Sequence, residues 1–303
     1  MRKNRNEEKT SSRKVYHTLE NNIFDAVIWI LLILIFICTA YPFYYCIIAS
    51  LNNGYDFMKG GVFFWPRQFT LQNYIELLSD SRWILALQVS AFRTILGTLI
   101  TVLVTCVVSY ALSRKELMFG KFYRFVVVFS MYVSGGLIPF YILLKNLHLL
   151  NTVWVYIFPS MLNLFFVIVG INFFQSVPDS LIESAKLDGA SETKILVKIV
   201  FPLSKAFIAT LALFTAVNQW NSWVDSSYYV NDESLRTVAY RMITTINQSA
   251  SAATLSGGSM VSTATAMTSQ TTAMIVSMLP IMCVYPFLQK YFVQGLMIGA
   301  VKE

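Results

Sequence analysis

Charge is what this sequence has least of. Of its 303 residues only 13% are Asp, Glu, Lys or Arg, while 56% are hydrophobic. Soluble domains carry about a quarter charged residues. Sixteen acidic residues are too few to solvate a chain of this size, so a water-soluble globular protein is excluded. Cysteine is equally sparse. Cys38, Cys46, Cys106 and Cys283 each sit in an apolar run and no two stand at C-x-x-C spacing, which argues against a zinc or redox motif and leaves small buried hydrophobes. The two histidines, His17 in a tail and His148 in a short loop, are assigned no chemistry. Neither G-x-S-x-G nor H-E-x-x-H occurs. The closest approach to a phosphate loop, Gly120-Lys121-Phe122, lacks the upstream glycine and the following Ser or Thr. No catalytic residue, no metal and no cofactor on this chain are therefore expected.

Long apolar runs are what it has most of. A membrane-crossing helix needs about 20 apolar residues, and six stretches meet that length: 24–50, 88–112, 124–144, 153–174, 203–223 and 271–293. Only closed hydrogen-bonding systems survive in lipid, and apolar runs this long are helices. The first run follows a basic start. Its core is too long for a signal peptide and no A-x-A-like site follows, so it reads as an uncleaved first span. The expectation is an all-α membrane protein of six transmembrane helices.

Basic residues set the orientation. Sixteen of the 23 fall on one side: the tail from Arg2 to Lys14, the loop from Arg114 to Arg124, the loop from Lys186 to Lys205, and Lys290 and Lys302. The positive-inside rule then places both termini in the cytoplasm. The net charge of +7 is thereby spent on orientation, and nucleic-acid binding is not indicated. The resulting organisation is a basic tail, 1–23; a permease domain, 24–294, with external segments 51–87 and 224–270 and a cytoplasmic loop 175–202; and a C-terminal tail, 295–303. Within the external segments, Leu71 to Leu78 is amphipathic. Ser249 to Ser269 is a low-complexity patch that either moves freely or extends the last helix outward.

One cytoplasmic loop differs from the rest, running from Pro178 through Leu181, Ile182, Glu183, Ser184, Ala185, Asp188, Gly189 and Ala190 to Pro202. Ser180 and Glu183 have capping-box spacing. Gly189 can take the left-handed conformation that ends a helix, and Ser191 can cap a second one. In that second helix Ile195, Leu196, Ile199 and Val200 share one stripe, with Lys194 and Lys198 on another face. Helix, sharp turn, helix is the expectation, with Leu181, Ile182, Ala185 and Ala190 offering an apolar grip to a partner.

That segment resembles the EAA loop of binding-protein-dependent ABC importer permeases. Glu183-Ser184-Ala185 is followed by Gly189, Ile199 and Pro202 at the offsets of E-A-A, G and I-x-L-P. Ser184 stands where the family has Ala, and Phe201 where it has Leu. Gly135-Gly136-Leu137-Ile138-Pro139, Trp220-Asn221-Ser222-Trp223, Tyr285 to Phe292 and Gly295 to Lys302 are similar to the complex-carbohydrate, oligosaccharide branch of the maltose-type family. The resemblance implies the type I importer fold in a bacterial cytoplasmic membrane. It also implies a second homologous permease, two cytoplasmic ABC ATPases that carry ATP and Mg, and an extracytoplasmic carbohydrate-binding protein. The tail residues Met297, Ile298, Gly299 and Lys302 would reach the ATPases.

Other residues admit two readings. The loop 178–203 could instead lie as an amphipathic helix on anionic lipid, which Lys194 and Lys198 would suit. Trp220 and Trp223, with Asn218 and Asn221, form either an interfacial aromatic belt or a sugar platform on the substrate path. Arg93 is a functional suspect that could equally snorkel to the outer headgroups. A stand-alone secondary transporter or channel is the competing function. It would require intramembrane acids or histidines, and Asp25 and Asp225 lie only at the edges of spans.

Overall fold

A computed structural model describes residues 19–255 and 266–284, and every element with described regular structure is helical apart from one isolated bridge, Asn52 to Phe69. The helices are α1 (Leu19–Ser50), α2 (Gly54–Met58), α3 (Gln72–Ser79), α4 (Ser81–Ser113), α5 (Gly120–Tyr132), α6 (Leu137–Asn146), α7 (Leu164–Gln175), α8 (Asp179–Leu187), α9 (Glu192–Leu203), α10 (Lys205–Asn221), α11 (Val224–Tyr229), α12 (Val238–Leu255) and α13 (Ala266–Val284). Short 3₁₀ turns occupy Val153–Tyr156, Phe158–Ser160 and Glu233–Leu235. The basic start, residues 256–265 of the low-complexity patch, and the ending from Tyr285 through Met297, Ile298, Gly299 and Lys302 lie outside the described residues.

Three helices, α1, α4 and α13, are long and apolar enough to cross a membrane by themselves. The other three expected spans are not continuous helices. α5 meets α6 at 116°, the 3₁₀ segment 153–160 meets α7 at 46°, and α9 meets α10 at 85°. Counting each bent pair as one span gives six. Each break has a local cause. Between α5 and α6, Gly136 adopts φ +83, ψ 175, a region open essentially to glycine alone, and α5's 13 residues make about 20 Å of helix, short of the roughly 30 Å hydrocarbon core. Between α9 and α10 the helix first widens into a π turn over Leu196–Val200. Pro202 follows, with no N–H to offer the ladder, and Ser204 leaves helical geometry at φ −105, ψ 20.

The centre of the bundle is α4 with α7 and α10 packed on it. Their approach depends on a small residue: a Cβ on Gly170 would lie 2.6 Å from Ser109 Oγ and 2.8 Å from Phe207 Cζ. Close crossing at glycine or serine is how membrane helices gain packing energy, since lipid tails supply no hydrophobic drive between helices. Hydroxyls on α4 stitch the crossing. Thr101 Oγ1 donates to Ser160 O at 2.9 Å, and Thr105 Oγ1 accepts from Asn163 N at 3.2 Å.

Several expectations need correction. α4 starts at Ser81, seven residues before the expected span, because Asp80 caps it through Arg82 N. Residues 238–255, within the expected external segment 224–270, form α12. Among the cysteines only Cys106 is buried; Cys38 and Cys283 are exposed at the chain's surface. Residues 23–39 of α1 are all exposed, so this largely apolar length meets lipid or another chain rather than its own bundle.

Candidate functional site

Two regions carry the residues singled out in the sequence. They lie at different heights along α4, one near its Ser113 end and one toward its Ser81 end.

At the Ser113 end the chain leaves α7, forms α8, turns, and enters α9. α8 begins at Asp179 with Pro178 as its N-cap and no side-chain cap. The expected capping box is therefore absent: Ser180 lies inside the first turn, where its carbonyl accepts from Ser184 Oγ at 2.8 Å. The C-terminus is closed by the backbone. Gly189 stands at φ +75, Gly189 N donates to Lys186 O at 3.0 Å, and Ala190 N donates to Ala185 O at 2.9 Å. This is the paired Schellman closure that needs a left-handed residue after the cap. Ser191 then caps α9, accepting from Lys194 N.

The faces of α8 differ from the expected grip. Ile182 is 2% exposed and packs with Tyr110, Phe174, Ile195, Leu196 and Val200 in the chain's own core. Ala185 and Ala190 are partly buried against the same cluster. These three residues fix α8 to the bundle from within, because their side chains fall on its inward stripe. The outward stripe is Leu181, Ser184, Leu187 and Asp188, with Glu183 beside it, all exposed. Leu187, 89% exposed, has the spacing from Leu181 that composition alone did not single out.

Exposed ion pairs connect α8 to the α4–α5 turn and to α9. Lys115 Nζ stands 2.8 Å from Asp179 Oδ2, and Lys186 Nζ stands 2.9 Å from Glu192 Oε1 and 3.8 Å from Glu116. The Lys115 ammonium holds the Asp179 carboxyl below its ordinary range. Tyr110 of α4 donates to Glu192 Oε2 at 2.6 Å. Any displacement of α8 therefore pulls on α4 and α9 together.

Toward the Ser81 end lies a buried charge network. Arg93 is 2% exposed, so it does not snorkel to headgroups. Its guanidinium donates to Gln219 Oε1 at 3.1 and 3.0 Å, to Ser222 O at 3.2 Å, and to both Asp225 oxygens at 3.1 and 2.5 Å. The Tyr156 ring lies under it, 4.5 Å from the guanidinium carbon. A bidentate, hydrogen-bonded partner of this kind is what makes a buried cation tolerable. The network ties α4 to the end of α10 and to α11. Sequence flagged Arg93 but not its partner; Asp225, the acid just after the fifth span, was the available signal.

Trp220 packs among Leu77, Trp83, Ala86, Val238 and Ala273, and its Nε1 donates to Ser277 O at 2.9 Å. It is neither a belt residue nor a sugar platform but a core contact of α10. Trp223 and Asn221 are exposed. Asn218 instead lines a cleft of about 430 Å³ with Thr101, Ser130, Ser160, Asn163 and Thr215. Gln219, which the sequence also marks as polar beside Asn218, lines the same cleft; Thr101, Ser130, Ser160, Asn163 and Thr215 are not legible there because single small polar residues in apolar runs are ordinary in membrane helices.

The family profile described as "Binding-protein-dependent transport system inner membrane component" matches residues 21–298. The chain belongs to that family. Among its relatives, the polygalacturonan/rhamnogalacturonan transport system permease protein YtcP of Bacillus subtilis is 35% identical, the match covering 94% of this chain and all of that one. Protein LplC of the same organism is also 35% identical, over 94% of this chain and 98% of its own length. The melibiose/raffinose/stachyose import permease protein MelC of B. subtilis is 26% identical over 86% of this chain and 91% of its own. Among solved structures, a chain of a bacterial ABC transporter involved in the import of the acidic polysaccharide alginate superposes with a TM-score of 0.80 at 27% identity, covering 91% of this chain and 99% of that one. The permease fold is thus that of an ABC importer.

Proposed function

We propose that this permease pairs with a second, homologous permease to form the path of a carbohydrate, probed from outside by a solute-binding protein and driven from inside by two ABC ATPases. ATP and Mg belong to those ATPases. The relatives' names, which specify polygalacturonan/rhamnogalacturonan and melibiose/raffinose/stachyose, support an oligosaccharide as cargo. The family match supports a bacterial cytoplasmic membrane, and the distribution of basic residues supports both termini inside.

The single observation that carries the reading is α8. It is a short helix with an outward face of Leu181, Ser184, Leu187 and Asp188, locked to the bundle by Ile182 and by a Schellman turn at Gly189. A helix transmits motion only when its partner grips one face and its base is fixed by the other. Glu183, exposed beside the strip, is placed to pair with a basic residue of the ATPase. The tail residues Met297 to Lys302 add a second contact with the ATPases in this reading. Asn218, Asn221 and Trp223 remain candidates for the substrate path, and Trp220 does not.

A stand-alone transporter gains no support from the cleft, since no titratable side chain lines it among the described residues, whereas ion-coupled transport needs such groups. The test is to purify the tagged full chain in mild detergent and identify what comes with it. A second permease and an ABC ATPase are expected. Recovery of the chain alone, from membranes where both are expressed, contradicts the proposal.

A further inference from the structure

The cleft beside the Arg93 network has a chemistry that narrows the cargo. It sits at mid-length of α4, where Thr101 faces the non-helical step at residues 161–163 that precedes α7. Irregular backbone at membrane depth is tolerated only where protein buries it or a polar cavity meets it. At about 430 Å³ the cleft falls within the roughly 300–1,000 Å³ of small-molecule sites. The lining includes apolar Met131, Leu162, Leu164 and Phe165, the last 58% exposed, together with amides and hydroxyls.

Some of those polar groups are already committed. Gln219 is held rigidly: Arg93 donates to its Oε1, and its Nε2 donates to Ser160 Oγ at 2.7 Å. Asn163 Oδ1 accepts from Phe166 N at 3.1 Å as the cap of α7, which leaves the amide's N–H donors. Others are open. Thr215 is 7% exposed and its Oγ1 has no hydrogen-bond partner among the described residues. The Asn218 and Ser130 side chains, both exposed, are the remaining polar groups of the lining. Among the described residues no Asp, Glu, Lys or Arg lines the cleft, and the nearby Arg93 has its charge met by Asp225.

We infer that this cleft is a subsite for an uncharged, hydroxyl-bearing sugar ring, packed on Phe165 and hydrogen-bonded by Asn163, Asn218 and Thr215, and that it disfavours a uronate. The inference rests on the importer reading and adds the class of cargo to it. Sugar hydroxyls both donate and accept, which matches amides and hydroxyls. A pyranose also has an apolar face for the aromatic ring. A carboxylate entering here would leave water without gaining a cation, which is the unfavourable half of charge burial. The contrast with the relatives named for polygalacturonan and alginate makes the point testable rather than generic.

The experiment is photolabelling of the purified complex containing the full chain, with two diazirine-bearing probes: a neutral hexose trisaccharide and trigalacturonate. Peptide mapping is expected to place label from the neutral probe on segments 160–165 and 215–219, at least tenfold above that from trigalacturonate. Asn218→Arg, which adds a cation at an exposed position, is expected to raise trigalacturonate labelling of those segments about tenfold. Equal or stronger labelling of the wild type by trigalacturonate overturns the neutral-sugar assignment. Labelling by both probes elsewhere only, in a complex that contains the ATPase, overturns the site while leaving the importer reading intact. Absence of the ATPase from the same sample counts against the importer reading, and cleft labelling by the neutral probe would then still uphold the subsite.

Discussion

The two ends of α4 solve the same problem, holding a neighbouring segment in place, by different physics. Near Ser113 the pairs Lys115–Asp179 and Lys186–Glu192 are exposed, and the work of fixing α8 falls to Ile182 and the backbone turn at Gly189. Toward Ser81 the Arg93–Asp225 pair has one partner 2% exposed and the other 20%, and the charges themselves hold α10 and α11. Exposed ion pairs exchange water for little net gain, while a buried cation deprived of its partner is left uncompensated. The difference teaches which end can be remodelled by a docking protein and which is fixed architecture.

The largest effect should come from breaking the buried end. Arg93→Met takes the cation from Asp225, which keeps only the neutral donors Ser222 Oγ and Ser226 N, and is expected to cost about 3–5 kcal/mol, read as a lowered denaturation midpoint in detergent. A midpoint within error of the wild type would show that those neutral donors suffice for Asp225. Next is the helix crossing. Gly170→Ala puts a Cβ 2.6 Å from Ser109 Oγ, and overpacking of this kind costs about 1–3 kcal/mol; Gly170→Ala combined with Ser109→Gly should recover most of the loss.

At the exposed end the effects should be local. Gly189 has open space around its Cα but a φ of +75, so Gly189→Val is strained by backbone alone, by about 1–3 kcal/mol. Gly189→Asn, which tolerates the left-handed region, is expected to retain partner binding where Gly189→Val loses it. Equal behaviour of the two would remove the turn from the account. The smallest effect belongs to Lys115→Ala. It removes an exposed pair and should leave the denaturation midpoint unchanged at ordinary salt; a clear drop would mean that the α8 tether is electrostatic after all.

The sequence was most legible where one residue type has one physical use. Apolar length indicated the spans, Gly189 the turn, Ser191 a cap, and the offsets from Glu183 to Pro202 the family. It was least legible where geometry depends on distant residues. Nothing local distinguishes a continuous span 124–144 from two arms at 116°, except in hindsight Gly136 with its positive φ. Amphipathic spacing puts Ile182 on an apolar face without saying that α9 and α4 occupy that face, so the expected grip mixes outward Leu181 with inward Ile182, Ala185 and Ala190. Trp220 was read by residue type, whereas its position against Trp83 and Ser277 is a tertiary fact. Arg93 was visible as a buried-charge candidate, but its partner lies 132 residues away.

The central claim is that the outward stripe of α8 is where an ABC ATPase docks. Leu187 tests it most directly, because a side chain 89% exposed contributes almost nothing to the permease's own fold. Leu187→Asp and Ser184→Arg are expected to leave membrane insertion and the denaturation midpoint unchanged while reducing ATPase recovered by pull-down in mild detergent at least tenfold. Full recovery of the ATPase with both variants, together with normal uptake, would contradict the account.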